Sequence, residues 1–172
     1  KITKEDLKKL NQYKMVGKFV TKKNSLKKKE DEISFLKSIK LVPKLIKVDN
    51  SVISRASQMT LKTNQFNTTT LRLNENKIEK YINDNNYLVS QCSAEDKFGD
   101  YGIIGLAIIK INESNKKAIV ENTLFSCRAL GRMIEEHFFQ KIFNDLKLKK
   151  IKTIEFPFTI SNKNKPALNF FN

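Results

Sequence analysis

The sequence predicts an α/β (α+β) protein in which helices flank a mixed, mostly antiparallel β-sheet, with a helical spacer on its N-terminal side. Three observations predict this fold. Three apolar strand patterns follow one another with short turns between them, as in an antiparallel meander. An amphipathic helix and a further strand come next, which is typical of a right-handed parallel crossover. The start of the chain instead carries apolar residues at helical spacing in a lysine-rich background.

The predicted spacer covers residues 1–40 and is a helix with one break. Leu10 and Tyr13 follow helical spacing before a polar interruption. Ser25 is placed to cap a second helix, which carries Phe35 on its apolar side. Because runs of charge usually mark a solvated helix, we favour a linker helix over a binding helix.

The domain predicted over residues 41–172 has the element order β-α-α-β-β-β-α-β-α, and we expect it to be truncated at its C-terminal end. Pro43 makes its first strand an edge strand or a strand start, because proline cannot donate to a ladder. Ser51 and Asn74 are the predicted helix N-caps. The predicted elements are a strand over Leu41–Val48, helices over Val52–Leu61 and from Asn74 through Ile82, strands over Tyr87–Ser93, Ile103–Ile111 and Ala118–Ser126, turns over Asp96–Gly102 and Glu113–Lys116, a helix over Gly131–Leu146, a strand over Ile151–Phe156 and a helix over Pro166–Phe171.

The net charge of +15 is a feature shared with nucleic-acid-binding proteins. Almost all of the positive charge is lysine, however, and asparagine is also abundant, a combination that drift toward AT-rich codons produces without selection for a basic surface. Base readout and bidentate phosphate contacts favour arginine. We therefore rank nucleic-acid binding last, and expect the positive field to attract an acidic partner.

The sequence has no apolar run long enough to span a membrane and no signal-peptide pattern. Its first residue is Lys, so we expect a domain cut from a longer protein. The two cysteines, Cys92 and Cys127, are far apart and lack metal-ligand spacing. We expect a reduced, cytoplasmic protein without a metal site.

Three polar segments within the lysine-rich background indicate a functional site. Amide and guanidinium side chains are costly to bury and are not needed to form helices or strands, so a cluster of them suggests a site. The segments are Lys62–Arg72 (KTNQFNTTTLR), Asp96–Gly102 (DKFGDYG) and Leu124–Arg132 (LFSCRALGR).

These segments resemble the C-terminal region of FkbH-like proteins, subfamily IIIC of the haloacid dehalogenase (HAD) superfamily. That family carries the patterns K-T-N-Q-F-N-x-T-T-x-R, D-x-F-G-D-x-G and S-C-R-x-L-G-R. The likeness extends from about Ser54 to the end of the chain. Agreement in three separate segments makes the resemblance specific.

The resemblance implies a domain similar to GCN5-related N-acetyltransferases (GNAT-like), preceded in the family by a phosphatase-like domain. The phosphatase motif D-x-D-x-T is absent from this chain. Family members are associated with loading a glyceryl unit, from a phosphorylated glycerate, onto an acyl carrier protein in polyketide and related pathways. The implied partners are therefore an acidic acyl carrier protein and the phosphatase-like domain of the same full-length protein.

Acetyltransferases of this fold hold the pyrophosphate of acyl-CoA in an R/Q-x-x-G-x-G/A loop that opens a helix. Arg128, Gly131 and Arg132 fit this loop, whereas Met133 stands where glycine or alanine is expected. A side chain there crowds a pyrophosphate and leaves room for a smaller phosphate or for the phosphopantetheine arm of a carrier. The arginines would add charge-assisted contacts. The alternative is a plain strand–turn–helix with two surface arginines.

Cys127 is predicted to lie between the end of a strand and a helix N-terminus, beside Arg128. Both neighbours favour the thiolate, so Cys127 is the candidate nucleophile that would hold an acyl unit as a thioester. The alternative is a small buried hydrophobic residue. Cys92 has no such surroundings and is predicted to belong to the core.

Amide and hydroxyl side chains dominate the first segment and can donate or accept, which suits a glyceryl hydroxyl or a pantetheine amide. The alternative is hydrogen bonding within the loop. In the second segment Asp100 is the candidate base, although this segment, with Phe98, is equally typical of a structural turn. The candidate binding residues of the first segment are Lys62, Thr63, Asn64, Gln65, Asn67 and Arg72.

The sequence therefore predicts acyl or glyceryl transfer onto the phosphopantetheine thiol of a carrier protein. The alternative is a non-catalytic module that docks the carrier protein.

Overall fold

The computed structural model describes most of the chain. Leu41, the predicted start of the first strand, and Phe98 of the second polar segment lie outside the described residues. The described residues are 4–26, 29–38, 42–97 and 99–172.

The chain forms two compact units, each interrupted once in sequence. The division of the chain into a spacer over residues 1–40 and a domain over residues 41–172 stays a prediction. The first unit comprises Lys1–Lys44 and Ser93–Gly102, and the second comprises Leu45–Cys92 and Ile103–Asn172.

The first unit contains two helices, α1 (Lys4–Asn24) and α2 (Lys29–Ser38). Phe19 and Phe35 are buried, with ring centroids 5.6 Å apart, so they join the two helices. The Ser25 hydroxyl donates to the carbonyl of Lys22 at 2.6 Å. The prediction that Ser25 caps the second helix is therefore wrong, because its side chain closes the last turn of α1.

The remaining elements follow the predicted order, with one added strand. They are β1 (Val42–Lys47), a 3₁₀ turn (Asn50–Val52), α3 (Ile53–Lys62), β2 (Phe66–Asn67), α4 (Glu75–Asn83), β3 (Tyr87–Asp96), β4 (Gly99–Asn112), β5 (Lys117–Phe125), α5 (Ile134–Leu148), β6 (Thr153–Glu155) and α6 (Lys165–Phe171).

The described strands form one sheet in the order β1-β3-β4-β5-β2, and β6 also pairs with β5. β1 is an edge strand, as Pro43 predicted. β4 and β5 are antiparallel, whereas β6 is parallel to β5, as the helical crossover predicted. The fold class predicted from the sequence, a mostly antiparallel sheet flanked by helices, is confirmed.

Two helix starts differ from the prediction. Ser51 was expected to cap α3, but Asp49 accepts the Ser51 amide at 2.8 Å and starts a 3₁₀ turn instead. The helix expected from Gly131 begins at Ile134, because Gly131 and Met133 have φ angles of 75° and 60° that an α-helix does not admit.

The Asn74 cap is confirmed, since its Oδ1 accepts the Lys77 amide at 3.0 Å. The Asn74 side chain accepts an amide that has no partner within the helix, and the bond spans only three residues, so the cap can be predicted from the sequence.

The core over α3 and α4 is built from apolar side chains of both helices and of the sheet. Met59 and Ile78 pack there against Leu106, Ile108 and Leu124. Because side chains alternate along a strand, Phe125 points to the opposite face. Its ring lies 5.2 Å from that of Phe138 of α5, so α5 covers that face.

Gly105 of β4 lies opposite Phe125 of β5 and leaves room for its ring. A Cβ atom at position 105 would stand 2.6 Å from Cε1 of Phe125 and 3.1 Å from Cβ of Cys92. Phe125 is fully buried, and a ring in a close-packed core has little room to move.

Gly105→Ala is expected to lower the free energy of unfolding by about 1–3 kcal/mol through overpacking. Gly17→Ala is the matched control, because a Cβ there meets no atom within 4 Å and α1 gains helix propensity. Urea denaturation of the three proteins measures both effects. Equal stability of the Gly105→Ala and wild-type proteins would show that the Phe125 ring can move aside for a methyl group at position 105.

Candidate active site

The carboxyl end of β5 is where the first and third polar segments meet. β6 pairs with the first residues of β5, from Lys117 to Ile119. β2 pairs antiparallel with its last residues, Phe66 opposite Phe125 and Asn67 opposite Leu124. The chain before Phe66 and the chain after Phe125 therefore reach the same end of the sheet.

Phe66 and Phe125 secure this meeting point, with ring centroids 5.1 Å apart in an edge-on arrangement. Such aromatic pairs contribute about 0.5–1.5 kcal/mol beyond their buried area. Asn64 and Gln65 precede the pair and are exposed, as Lys62 is, while Thr63 is half-buried. These side chains are available to a ligand.

Asn67, in contrast, is fully buried. Its amide nitrogen donates to the carbonyl of Thr63 at 3.2 Å, and its Oδ1 accepts the amide of Thr70 at 3.0 Å. This bond holds Thr70 at a φ of 57°, which is rare for a β-branched residue. Asn67 thus holds the loop from Thr63 to Thr70 together. This agrees with the alternative in which the polar side chains of the first segment bond within their own loop.

Thr68 and Thr69 extend the contact with β5 through their hydroxyls. The Thr68 hydroxyl accepts the amide of Thr123 at 2.9 Å. The Thr69 hydroxyl donates to the carbonyl of Glu121 at 2.7 Å. Two side chains thereby replace the backbone partners that a longer β2 would supply.

Arg72 closes the C-terminal end of α3. Its guanidinium donates to the carbonyls of Thr60 and Thr63, the latter at 2.8 Å, and to Oδ1 of Asn64. The last carbonyls of a helix have no partner within the helix, so a planar cation suits them well. Arg72 therefore orients Asn64 while remaining exposed itself.

A turn of seven residues, from Cys127 to Met133, follows β5 and precedes α5. Arg128 is half-buried, and its backbone amide and Nε both donate to the Ser126 hydroxyl at 3.2 Å. Arg132 is 1% exposed, and its Nε donates to the carbonyl of Arg128 at 2.9 Å. Gly131 is exposed.

Cys127 is exposed and Cys92 is buried, and neither forms a disulfide. The alternative of Cys127 as a small buried hydrophobic residue is therefore wrong. Its expected position directly before a helix N-terminus is also wrong, since the turn up to Met133 intervenes. The core assignment of Cys92 is confirmed, and burial, with a smaller effect of the Glu135 charge, raises the pKa of its thiol to about 12.

Asp100 lies in the first unit and is exposed. Its carboxylate accepts the amide of Gly102 at 2.7 Å, a bond typical of a turn. The predicted turn is shorter than expected, because β3 continues to Asp96 and β4 begins at Gly99. A role of Asp100 as base stays a prediction.

Two further polar residues, one buried and one half-buried, were not among the site residues predicted from the sequence. Asn164 lies between β2 and the chain after β6, 1% exposed. Glu121 is the extra residue where the register between β4 and β5 shifts, and its carboxylate accepts the Tyr87 hydroxyl at 3.0 Å. A bulge re-aims a side chain without leaving a pattern in the sequence, so nothing local marked Glu121.

The fold is that of GCN5-related N-acetyltransferases. The ribosomal-protein-S18-alanine N-acetyltransferase from Escherichia coli has a TM-score of 0.57 and 11% sequence identity, over 76% of this chain and 74% of that chain. An N-acetyltransferase from Staphylococcus aureus Mu50 has a TM-score of 0.56 and 10% identity, over 76% and 80%. An aminoglycoside acetyltransferase from an uncultured soil metagenomic sample has a TM-score of 0.52 and 13% identity, over 75% and 84%.

At these low identities, the similarity to solved acetyltransferases shows the fold alone. It is the fold that the sequence resemblance to FkbH-like proteins implied. No protein-family model matches the chain, and no curated protein matches it. No helix among the described residues has the length and apolar character that crossing a membrane requires.

Arg72→Ala is expected to lower the free energy of unfolding by about 1 kcal/mol, because the α3 carbonyls lose a charged donor at an exposed position. Arg72→Lys should recover only part of this loss, since a compact ammonium lacks the two separated nitrogens with which the guanidinium reaches its three acceptors. Lys77→Ala, an exposed change on α4, serves as control. Urea denaturation reports the difference, and an Arg72→Ala protein as stable as the control would contradict the capping role.

Met133→Gly is expected to raise the free energy of unfolding by about 1 kcal/mol, because glycine adopts a positive φ without steric cost. The lost side chain is 44% exposed and contributes little packing. Gln140→Gly, on the exposed face of α5, should instead lose about 1 kcal/mol. Thermal unfolding compares the two, and a loss in both variants would show that Met133 is not strained.

Proposed function

We propose that this chain is an acyltransferase domain of the FkbH-like kind, which transfers an acyl or glyceryl unit to the phosphopantetheine thiol of an acidic carrier protein. One observation carries the proposal most directly: Cys127 is exposed at the sheet end that Asn64 and Gln65 also reach. Transfer between two sulfur atoms requires a thiol that a second thiol can approach. The acetyltransferase fold supports acyl transfer as the reaction class.

The proposed chemistry has two displacements. The Cys127 thiolate attacks the carbonyl carbon of an activated acyl donor, a C–S bond forms, and the bond to the phosphate or thiolate leaving group breaks. The carrier thiolate then attacks this thioester, and Cys127 leaves as a thiolate. The proton of the carrier thiol passes to the released phosphate or thiolate, so no oxidant or reductant is needed.

Asn64 and Gln65 are the proposed contacts for amide or hydroxyl groups of the incoming arm, because each side chain can donate and accept. Lys62 and Arg128 supply positive charge for its phosphate. Gly131 is exposed and offers a backbone approach without a side chain. Asn67 and Arg132 act in this proposal through the loop shapes that they hold.

The residues at the start of α5 do not fit the pyrophosphate of acyl-CoA. Met133 has an exposed side chain and a positive φ where the loop of acetyltransferases has glycine or alanine. Glu135 and Glu136 stand in the first turn, where a negative charge already balances the helix dipole. A pyrophosphate would add more negative charge there than a single phosphate does, so we propose a donor without a pyrophosphate, such as an acyl phosphate.

A non-catalytic docking module is the second candidate. The burial of Asn67 and Arg132 favours it, since two of the residues expected to contact a ligand serve the loops instead. The net charge of +15 would attract an acidic carrier in either case. Turnover separates the two candidates.

Incubation of the chain with a phosphopantetheinylated carrier and a panel of acyl phosphates and acyl thioesters is expected to increase the carrier mass by one acyl unit. Intact-protein mass spectrometry measures the gain. Cys127→Ala should abolish the gain, because no thioester can form on the chain. Cys92→Ala should retain it, since Cys92 is a buried core residue.

Alkylation tests the reactivity of the Cys127 thiol without any acyl donor. Iodoacetamide at neutral pH should modify Cys127 and spare Cys92 in the native protein. An unmodified Cys127 would sink the nucleophile mechanism, and carrier binding without any mass gain would favour the docking module.

A further inference from the structure

Asn164 precedes α6 and is not used by the proposed function. Its Nδ2 donates to the carbonyls of Asn67 at 2.9 Å and Thr159 at 2.8 Å. Its Oδ1 accepts the amide of Ser161 at 2.8 Å. A side chain that is 1% exposed and bonded on both sides is not free to contact a ligand.

The same C-terminal stretch holds β2 at two further places. The Thr159 amide donates to the carbonyl of Thr68 at 2.8 Å. The Ala167 amide donates to the carbonyl of Gln65 at 3.3 Å. Three donors from residues 159–167 thus bind three carbonyls within Gln65–Thr68.

β2 needs this support because it is two residues long. Isolated strand pairs of ordinary length are already marginal in water. Among the three donors only Asn164 is a side chain, and it alone ties β2 to two points of the following loop. Removing it leaves the Asn67 carbonyl buried and unpaired.

We infer that Asn164 is a positioning residue for the loop that carries Asn64 and Gln65. By fixing β2, it keeps these two side chains at the sheet end where the turn with Cys127 begins. It acts through the Asn67 carbonyl and touches no substrate. This inference rests on the proposed function for the role of the loop, but the placement of β2 is tested separately.

Asn164→Asp is the discriminating variant because it changes one atom of the side chain. The Asp side chain can still accept the Ser161 amide, but it sets a carboxylate oxygen against the carbonyls of Asn67 and Thr159. Asn162→Ala is the matched control, an exposed asparagine in the same loop. Asn164→Ala removes all three bonds without adding a carboxylate, so it separates the effect of the lost bonds from that of the new charge.

Hydrogen exchange read by NMR, at a temperature where every variant is folded, tests the placement. In Asn164→Asp the amides of Thr68 and Thr70 should exchange about tenfold faster, while those of α5 keep their wild-type rates. Asn162→Ala should match the wild type throughout. Unchanged rates at Thr68 and Thr70, or equal acceleration in α5, would overturn the inference.

Steady-state kinetics with increasing carrier concentration add a second measurement. A residue that only stabilises the fold would not change the KM for the carrier selectively. Asn164→Asp should raise the KM for the carrier several-fold more than it lowers kcat, because a displaced loop weakens binding before it affects the thiol. A fall in kcat alone would overturn the inference. If the wild-type chain transfers nothing, the proposed function fails, and the exchange result still decides the placement of β2.

Discussion

The antiparallel contact of Phe66 and Asn67 with the carboxyl end of β5 is the interaction on which the candidate site depends. Two ladder pairs are few, so side chains complete the contact: an edge-on ring pair, two threonine hydroxyls, and the amide of Asn164. Each buried carbonyl or amide left without a partner would cost about 1–3 kcal/mol. The dense hydrogen bonding of this small region is therefore a requirement of its burial.

The polar residues of the first segment divide into two groups because of this contact. Asn67 and Thr68 point inward and build the loop, whereas Asn64 and Gln65 remain exposed. The turn after β5 divides in the same way, with Arg132 buried and Cys127 exposed. The positive φ angles of Gly131 and Met133 delay α5, and this delay keeps the thiol away from the helix and open to approach. Strained backbone is commonly retained near functional groups.

Apolar periodicity made the regular elements predictable. β4 and β5 carry long apolar stretches joined by a turn at Glu113–Lys116, and α5 carries a helical stripe that covers Phe125. Asn74 was predicted as a cap because its bond is local. β2 was missed because most of its surroundings are polar and its partners lie nearly sixty residues away in the chain. The resemblance singled out the first and third segments, which meet at the candidate site, but not which of their side chains face outward.

The sequence by itself determined the fold class, the order of the helices and strands apart from β2, and the segments that carry the polar residues, because spacing and turn chemistry act over a few residues. Only the tertiary structure decided that Cys127 is exposed, that Asn67 and Arg132 are buried, and that Asn164 holds β2. Burial and hydrogen-bond partners depend on which distant segments meet at the end of the sheet. That meeting is a property of the folded chain, and no local pattern contains it.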